Sequence, residues 1–224
     1  SLNRDLRPLG LIKTLGKYIA QRNGPMAYSA FEVSTLIKTA KHLPRANAQI
    51  GFTPVSVDRH GTSITPDKVP GVLACSYILK PKSRGHLRIT SADADAPMYI
   101  QPNYLQHPDD QKDSVDLFHL TRKLFETSAM QAYQATEILP GKDIVSDDEI
   151  LDFYLKMGNS ALHATGTCQM GTSEKSVVNE KLQVRGIANL RVVDLSIFPE
   201  MISGNTNSPA MAVGWRAADL ILAS

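Results

Sequence analysis

The chain has 224 residues, 42% hydrophobic and 21% charged, with 24 Lys and Arg against 22 Asp and Glu. This is an ordinary globular composition, long enough to bury a core in one large or two small domains. The near-balanced charge, with no Lys/Arg-rich run, argues against a nucleic-acid surface, and the longest apolar runs are far too short to span a membrane.

The chain starts SLNRDLRPLG, with neither Met nor the charged and apolar regions of a leader. The expectation is a processed chain or a piece of something longer. Within residues 5–22, Leu9, Ile12, Leu15 and Ile19 recur at helical spacing and predict a short amphipathic helix. Asn23-Gly24-Pro25 breaks it, and a loop with a mixed apolar stretch follows. Residues 41–70, rich in Pro, Gly, Asp and Thr, read as loops and short strands. GVLACSYILK (71–80) reads as a buried strand, PKSRG (81–85) as a turn, and HLRIT (86–90) as the strand returning from it. MYIQPNYL (98–105) is extended, and Pro102 confines it to an edge or an end. These pieces predict an antiparallel sheet.

Helices follow. In 114–127, Val115, Phe118, Leu124 and Phe125 are periodic. Residues 146–158 carry complete start and stop signals: a capping box from Ser146 to Glu149, acids in the first turn, then Lys156 and Gly158. LRVVDLS (190–196) reads as a short buried strand ending near an acid. Residues 208–224 read as a closing helix, capped by Ser208 or Asn207, with Pro209 at the favoured first position.

Few residues carry chemistry on their own. The six histidines, His42, His60, His86, His107, His119 and His163, show no metal-ligand spacing, and no Cys-x-x-Cys occurs. The two cysteines, Cys75 and Cys168, make no disulfide framework and leave the compartment unassigned. Cys168 lies five residues from His163, yet the small residues around it favour a packed, inert thiol over a nucleophile. The pairs Asp93/Asp95 and Asp109/Asp110 read as solvated loop acids, and Asp147 to Glu149 as helix-dipole complements. His163 opens HATGTCQMG, a loop of small residues that can pass close to a ligand; from these residues alone a purely structural histidine is the favoured reading. GNTNSPA (204–210) joins a polar turn to a helix start, where free N–H groups favour negative charge. Two asparagines, a threonine and a serine are more than one cap needs.

Taken together and in order, PKSRGHLRITSADADAPMYIQPNYL, HATGTCQMG and LRVVDLSIFPEMISGNTNSPAMAVGWRAADLI resemble the carboxy-terminal part of the glucose–methanol–choline (GMC) flavin oxidoreductases, from about Pro81 onward. Residues 1–80 are similar, less distinctively, to the preceding substrate-domain segment. No Gly-x-Gly-x-x-Gly occurs, so the βαβ unit that would hold the ADP part of FAD is outside this chain.

The resemblance implies an α+β fold: an antiparallel sheet flanked by helices over 1–160, the substrate-binding portion, and a strand-turn-helix segment over 161–224 that completes the FAD-binding domain. It implies FAD as cofactor, a small-molecule alcohol as substrate, and the amino-terminal FAD-binding portion as partner, without nucleic acid or membrane. It makes His163 the base that takes the alcohol proton and Asn205 the second catalytic residue. Asp194 and Leu195 match the segment meeting the ribityl and pyrophosphate region; Thr206 and Asn207 match the turn whose backbone faces the flavin pyrimidine, and Asn205 beside them is implied to bind the cofactor too. A histidine can take up and release a proton near neutral pH, and an asparagine can donate to an alkoxide without competing for that proton. Leu162, at a position often aromatic or polar in the family, hints at a less polar substrate. The implied activity is oxidation of a primary or secondary alcohol with hydride transfer to flavin N5. The alternatives are a flavin-containing hydroxynitrile lyase on the same scaffold and an inactive isolated fragment.

Overall fold

A computed structural model describes residues 1–29, 31–60 and 63–223. Ala30, in the mixed stretch after the first helix, Gly61 and Thr62, in the loop-and-strand stretch, and Ser224, the end of the closing helix, lie outside the described residues. Two compact units are formed, one by Ser1–Ile78 with Ser114–Val145, the other by Leu79–Asp113 with Ser146–Ser224.

In the first unit, β1 (Val33–Ile37), β2 (Ala48–Thr53) and β5 (Leu73–Ile78) form an antiparallel sheet with β2 in the centre. β3 (Val57–His60) and β4 (Ser63–Pro66) make a separate antiparallel pair. β2 lies in the stretch read as loops and short strands, yet its first four residues are all buried. Ala48 stands opposite Ile37 on one side and Ile78 on the other, and with Ile50 this row packs against Leu117 of α2 (Pro108–Phe125). β5, expected to be a buried strand, is an edge and only half-buried, because it has a single strand neighbour.

Asn3 is buried and ties the start of the chain to this unit. Its amide donates to the carbonyls of Ser56 (2.8 Å) and Asp67 (3.2 Å), and its oxygen accepts from Ser56 N–H (3.1 Å). Gly71 is required there: a Cβ would come within 2.2 Å of Ser56 Oγ. The predicted first helix is α1 (Pro8–Gln21), but its burial is inverted. Thr14 is buried, whereas Leu9 and Ile12 are 84% and 70% exposed.

α2 starts six residues before the expected Ser114, with Pro108 at its first position and Asp109 and Asp110 in its first turn. Its residues 108–113 belong to the second unit and 114–125 to the first. The reading of Asp109 and Asp110 as solvated loop acids is therefore corrected. Asp109 is exposed and pairs with Lys82, but Asp110 is 3% exposed and accepts from the N–H groups of Lys82 (2.8 Å) and Ser83 (2.7 Å). This contact explains a second difference. With Lys82 and Ser83 held by α2, PKSRG does not fold the chain back onto β5. β6 (His86–Arg88) pairs instead with β7 (Tyr99–Gln101), which ends at Pro102 as expected.

The second unit also contains α4 (Asp147–Met157), which carries the predicted capping box in full. A four-residue helix, α3 (Ser128–Gln131), lies in the first unit. Below α4 in sequence, the core gathers Val178, Leu182 and Ile197 with Ala217 of α5 (Asn207–Leu222). Val213, Ala217 and Leu220 put one stripe of α5 onto this core. Residues 190–196 are not the expected strand. Arg191 makes a single antiparallel bridge to Gln183, and a 3-10 turn follows at Leu195–Ile197. A β-branched run extends as a strand only where a neighbouring strand offers a full ladder, and among the described residues none runs beside it.

Candidate active site

The loop His163–Gly171 contains no helix or strand, and main-chain bonds set its path. Cys168 N–H donates to the Ser196 carbonyl (3.0 Å), Met170 N–H to the Ile197 carbonyl (2.7 Å), and Val177 N–H to the Gln169 carbonyl (2.9 Å). Gly166 has φ +92°, the left-handed region that favours glycine. Leu162, immediately before the histidine, also has positive φ (59°) and is 87% exposed. The loop is a main-chain construction, and its small side chains are what allow it.

The second piece comes from the turn before α5. Gly204, at φ +147°, turns the chain, and Thr206 occupies the N-cap position. The cap thus lies one residue before Asn207 and two before Ser208. Pro209 accordingly stands third in the helix rather than first. That position is tolerated, since first-turn N–H groups have no helical acceptor.

The turn brings Asn205 and Thr206 onto His163. Asn205 Nδ2 lies 3.2 Å from His163 Nε2, and Thr206 Oγ1 lies 2.7 Å from His163 Nδ1. The imidazole is half-buried, Asn205 is exposed, and Thr206 is 4% exposed. Both ring nitrogens are thus taken by consecutive residues more than forty positions further along the chain. No described hydrogen bond joins either ring nitrogen to Cys168.

Other expected site residues sit differently. Asn207 is the first residue of α5, and its amide reaches Met211 Sδ (3.8 Å). Asp194 caps the 3-10 turn, accepting from Ser196 N–H (2.7 Å), and Leu195 is half-buried in that turn. Neither shares a described hydrogen bond with His163. Sequence reading missed two polar atoms of the same segment. Arg191 Nε and Ser196 Oγ are buried with no hydrogen-bond partner among the described residues. Buried donors are normally paired, so their signal was the polar ends of an otherwise apolar run. Among the described residues, no three His, Cys, Asp or Glu side chains are grouped to hold a metal. No helix among them is long and apolar enough to cross a membrane.

The chain is similar to known proteins over most of its length. Residues 81–214 match the family model described as GMC oxidoreductase. An alcohol dehydrogenase [acceptor] of Pseudomonas putida is 36% identical over 215 residues, 96% of this chain and 38% of that protein. An oxygen-dependent choline dehydrogenase of Photobacterium profundum is 38% identical over 216 residues, 95% of this chain and 37% of that protein. The chain therefore spans less than two-fifths of these relatives. Among solved structures, a formate oxidase superposes with TM-score 0.83 at 21% identity, covering 99% of this chain and 43% of that one. A pyridoxine 4-oxidase from Mesorbium loti superposes with TM-score 0.73 at 24% identity, covering 85% and 37%. At that identity the two structures establish the shared α+β fold.

Proposed function

The chain belongs to the GMC oxidoreductase family, and from that premise we propose that it is the carboxy-terminal substrate-binding and catalytic portion of an enzyme that oxidises a primary or secondary alcohol. FAD is the cofactor of this family. The observation that carries the reading is the His163–Asn205–Thr206 contact, since it places a proton acceptor beside a neutral amide donor at the start of a helix.

The residues present fit FAD. Asn207 and Ser208 open a 16-residue helix with no acid in its first turn, so its N–H groups and positive end are not neutralised locally. That end suits the pyrimidine edge of a flavin, which gains negative charge on reduction. The unpartnered donors of Arg191 and Ser196, flanking Asp194, suit a ribityl or pyrophosphate oxygen. In this reading Asp194, Leu195, Asn205, Thr206 and Asn207 hold part of the cofactor. Residues 161–224 complete the FAD domain, residues 1–160 form the substrate-binding portion, and the remaining cradle comes from an amino-terminal portion.

Alcohol oxidation removes a proton from O–H and a hydride from C–H. FAD, when bound, accepts the hydride at N5. His163 Nε2 takes the hydroxyl proton, and Asn205 Nδ2 donates to the substrate oxygen as negative charge grows there. Leu162 lays an exposed aliphatic side chain beside the base, which favours an alcohol with an apolar carbon next to its hydroxyl.

The test is anaerobic stopped-flow reduction of the flavin in the full-length protein by 1-hexanol and by choline. We expect His163→Ala to abolish reduction while the flavin stays bound, and Asn205→Ala to slow it less severely. Activity of His163→Ala within a few-fold of the unaltered protein would remove the base assignment. Cyanohydrin cleavage without flavin reduction would make the protein a lyase.

A further inference from the structure

The geometry points to Thr206 as a positioning residue that holds His163 in one tautomer, with the proton on Nδ1 and the lone pair on Nε2. This inference rests on the reading of His163 as the base.

The contacts on the two ring nitrogens differ in kind. A carboxamide nitrogen only donates, so the Asn205 Nδ2 contact at 3.2 Å requires His163 Nε2 to be the acceptor. In a neutral imidazole the other nitrogen then carries the hydrogen. Nδ1–H must donate, and at 2.7 Å the group that accepts is Thr206 Oγ1. The amide selects the tautomer, and the hydroxyl, which can donate or accept, stabilises it by accepting from Nδ1–H.

The position of Thr206 explains why its hydroxyl is available. A threonine at an N-cap ordinarily turns its oxygen onto the N–H of the second or third helical residue. Here the third residue is Pro209, which has no N–H, and Thr206 has φ −93° and ψ −5°, not the extended backbone of a capping residue. No side-chain cap bond forms, and the hydroxyl is spent on the histidine instead. The sequence Thr-Asn-Ser-Pro thus starts the helix while withholding the usual partner of its own cap. Thr206 is buried, so water does not compete strongly for the bond.

The consequence for proton transfer is specific. The hydroxyl proton of the alcohol moves onto the Nε2 lone pair, and the O–H bond breaks as the N–H bond forms. The resulting imidazolium donates from both nitrogens. Nε2 has a single lone pair, so Asn205 Nδ2 leaves it before the alcohol O–H approaches and is then free to donate to the substrate oxygen, whereas Thr206 Oγ1 keeps its hydrogen bond to Nδ1 throughout. Thr206 therefore acts before and after the transfer, and Asn205 changes partner ahead of it.

The experiment uses the full-length flavoprotein with 15N-labelled histidine. NMR reads which ring nitrogen of His163 is protonated, with the resonance assigned by its loss in His163→Gln. The unaltered protein should show protonated Nδ1 and bare Nε2. Thr206→Val, equal in shape but without the hydroxyl, should shift a substantial share of His163 to the Nε2–H form. It should also lower the rate of flavin reduction by 1-hexanol about 10- to 100-fold, part of the roughly 10²- to 10⁴-fold that a positioned base contributes. The apparent Kd for 1-hexanol should stay within about twofold, because the lost contact is not to substrate. Thr206→Ser should restore both the tautomer and the rate. An Nε2–H tautomer in the unaltered protein overturns the inference whether or not Thr206→Val folds. So does a Thr206→Val protein with an unchanged tautomer. If the tautomer shifts as expected but His163→Gln still reduces its flavin, the positioning role stands and the base assignment falls.

Discussion

α1 and α2 both carry apolar periodicity and use it in opposite ways. α2 puts Leu117, Val115 and Phe118 into the interior, with Leu117 only 1% exposed, beneath the row Ile37, Ala48 and Ile78. α1 docks through Thr14 and leaves Leu9, Ile12, Leu15 and Ile19 on its open side. Periodicity thus identifies a face that should be covered, but not what covers it. For α2 the cover is the three-stranded sheet of its own unit. For α1 no described residue of its unit supplies it, and the exposed stripe accords with a chain that spans under two-fifths of its relatives.

The contrast can be broken by substitution. The largest effect is expected for Leu117→Ala, which empties the contact between α2 and the sheet and should cost about 3 kcal/mol, read as a lower midpoint in urea unfolding at constant slope. Asp110→Ala should come next, at about 2 kcal/mol, because two main-chain N–H groups lose a buried acceptor. Asp110→Asn, which keeps one acceptor oxygen, should recover part of that loss. Ile12→Ala sharpens the comparison most. In the 224-residue chain it should change stability by no more than about 0.5 kcal/mol, as exposed substitutions do. A cost of about 1–3 kcal/mol in the full-length protein, the value of a buried aliphatic side chain, would mean that another segment covers α1; equal small values in both would leave the stripe free.

The smallest effect belongs to the exposed pair of Lys82 and Asp109. The hydrogen bond from Lys82, and then its charge, hold the Asp109 carboxyl below its ordinary 3.8, and the same contact holds Lys82 above its ordinary 10.5. A carboxyl lowered by folding stabilises the fold above its ordinary value and stops doing so as pH falls through the lowered one; a raised lysine contributes below 10.5 and is lost above it. Lys82→Met should therefore remove a slight, salt-sensitive contribution that is flat between these limits. Unfolding at pH 7 in low and high salt checks it.

Local rules were legible where the responsible atoms lie within a few residues. Ser146 and Glu149 announced α4, and Pro102 ended β7. The start of α2 was equally local, since Pro108, Asp109 and Asp110 together are a helix opening, but they were read as a polar turn. Long-range pairing was not legible. Nothing in HLRIT says whether it returns to β5 or joins β7, because Asp110 decides that by holding Lys82 and Ser83. The failed strand at 190–196 has the same origin, since a ladder requires a neighbour. At the site, the resemblance singled out His163 and Asn205, and the residues alone marked 204–210 as richer in polar groups than a cap needs. That excess has a use the sequence did not reveal. Thr206 reaches across to Nδ1 through its side chain, whereas it was expected to face a flavin through its backbone.

The loop that carries His163 has a further property of practical weight. Its ends are held by the two ring contacts and by the main-chain bonds at Cys168 and Met170, none of which involves a side chain between 164 and 167. Ala164 and Thr167 are exposed. The described bonds that hold the His163 ring thus involve neither of these side chains, and on the proposed reading replacement at 164 and 167 by other small residues would vary the surface beside a stationary histidine. If His163 is the base as proposed, such replacements would change substrate preference and leave the proton acceptor in place.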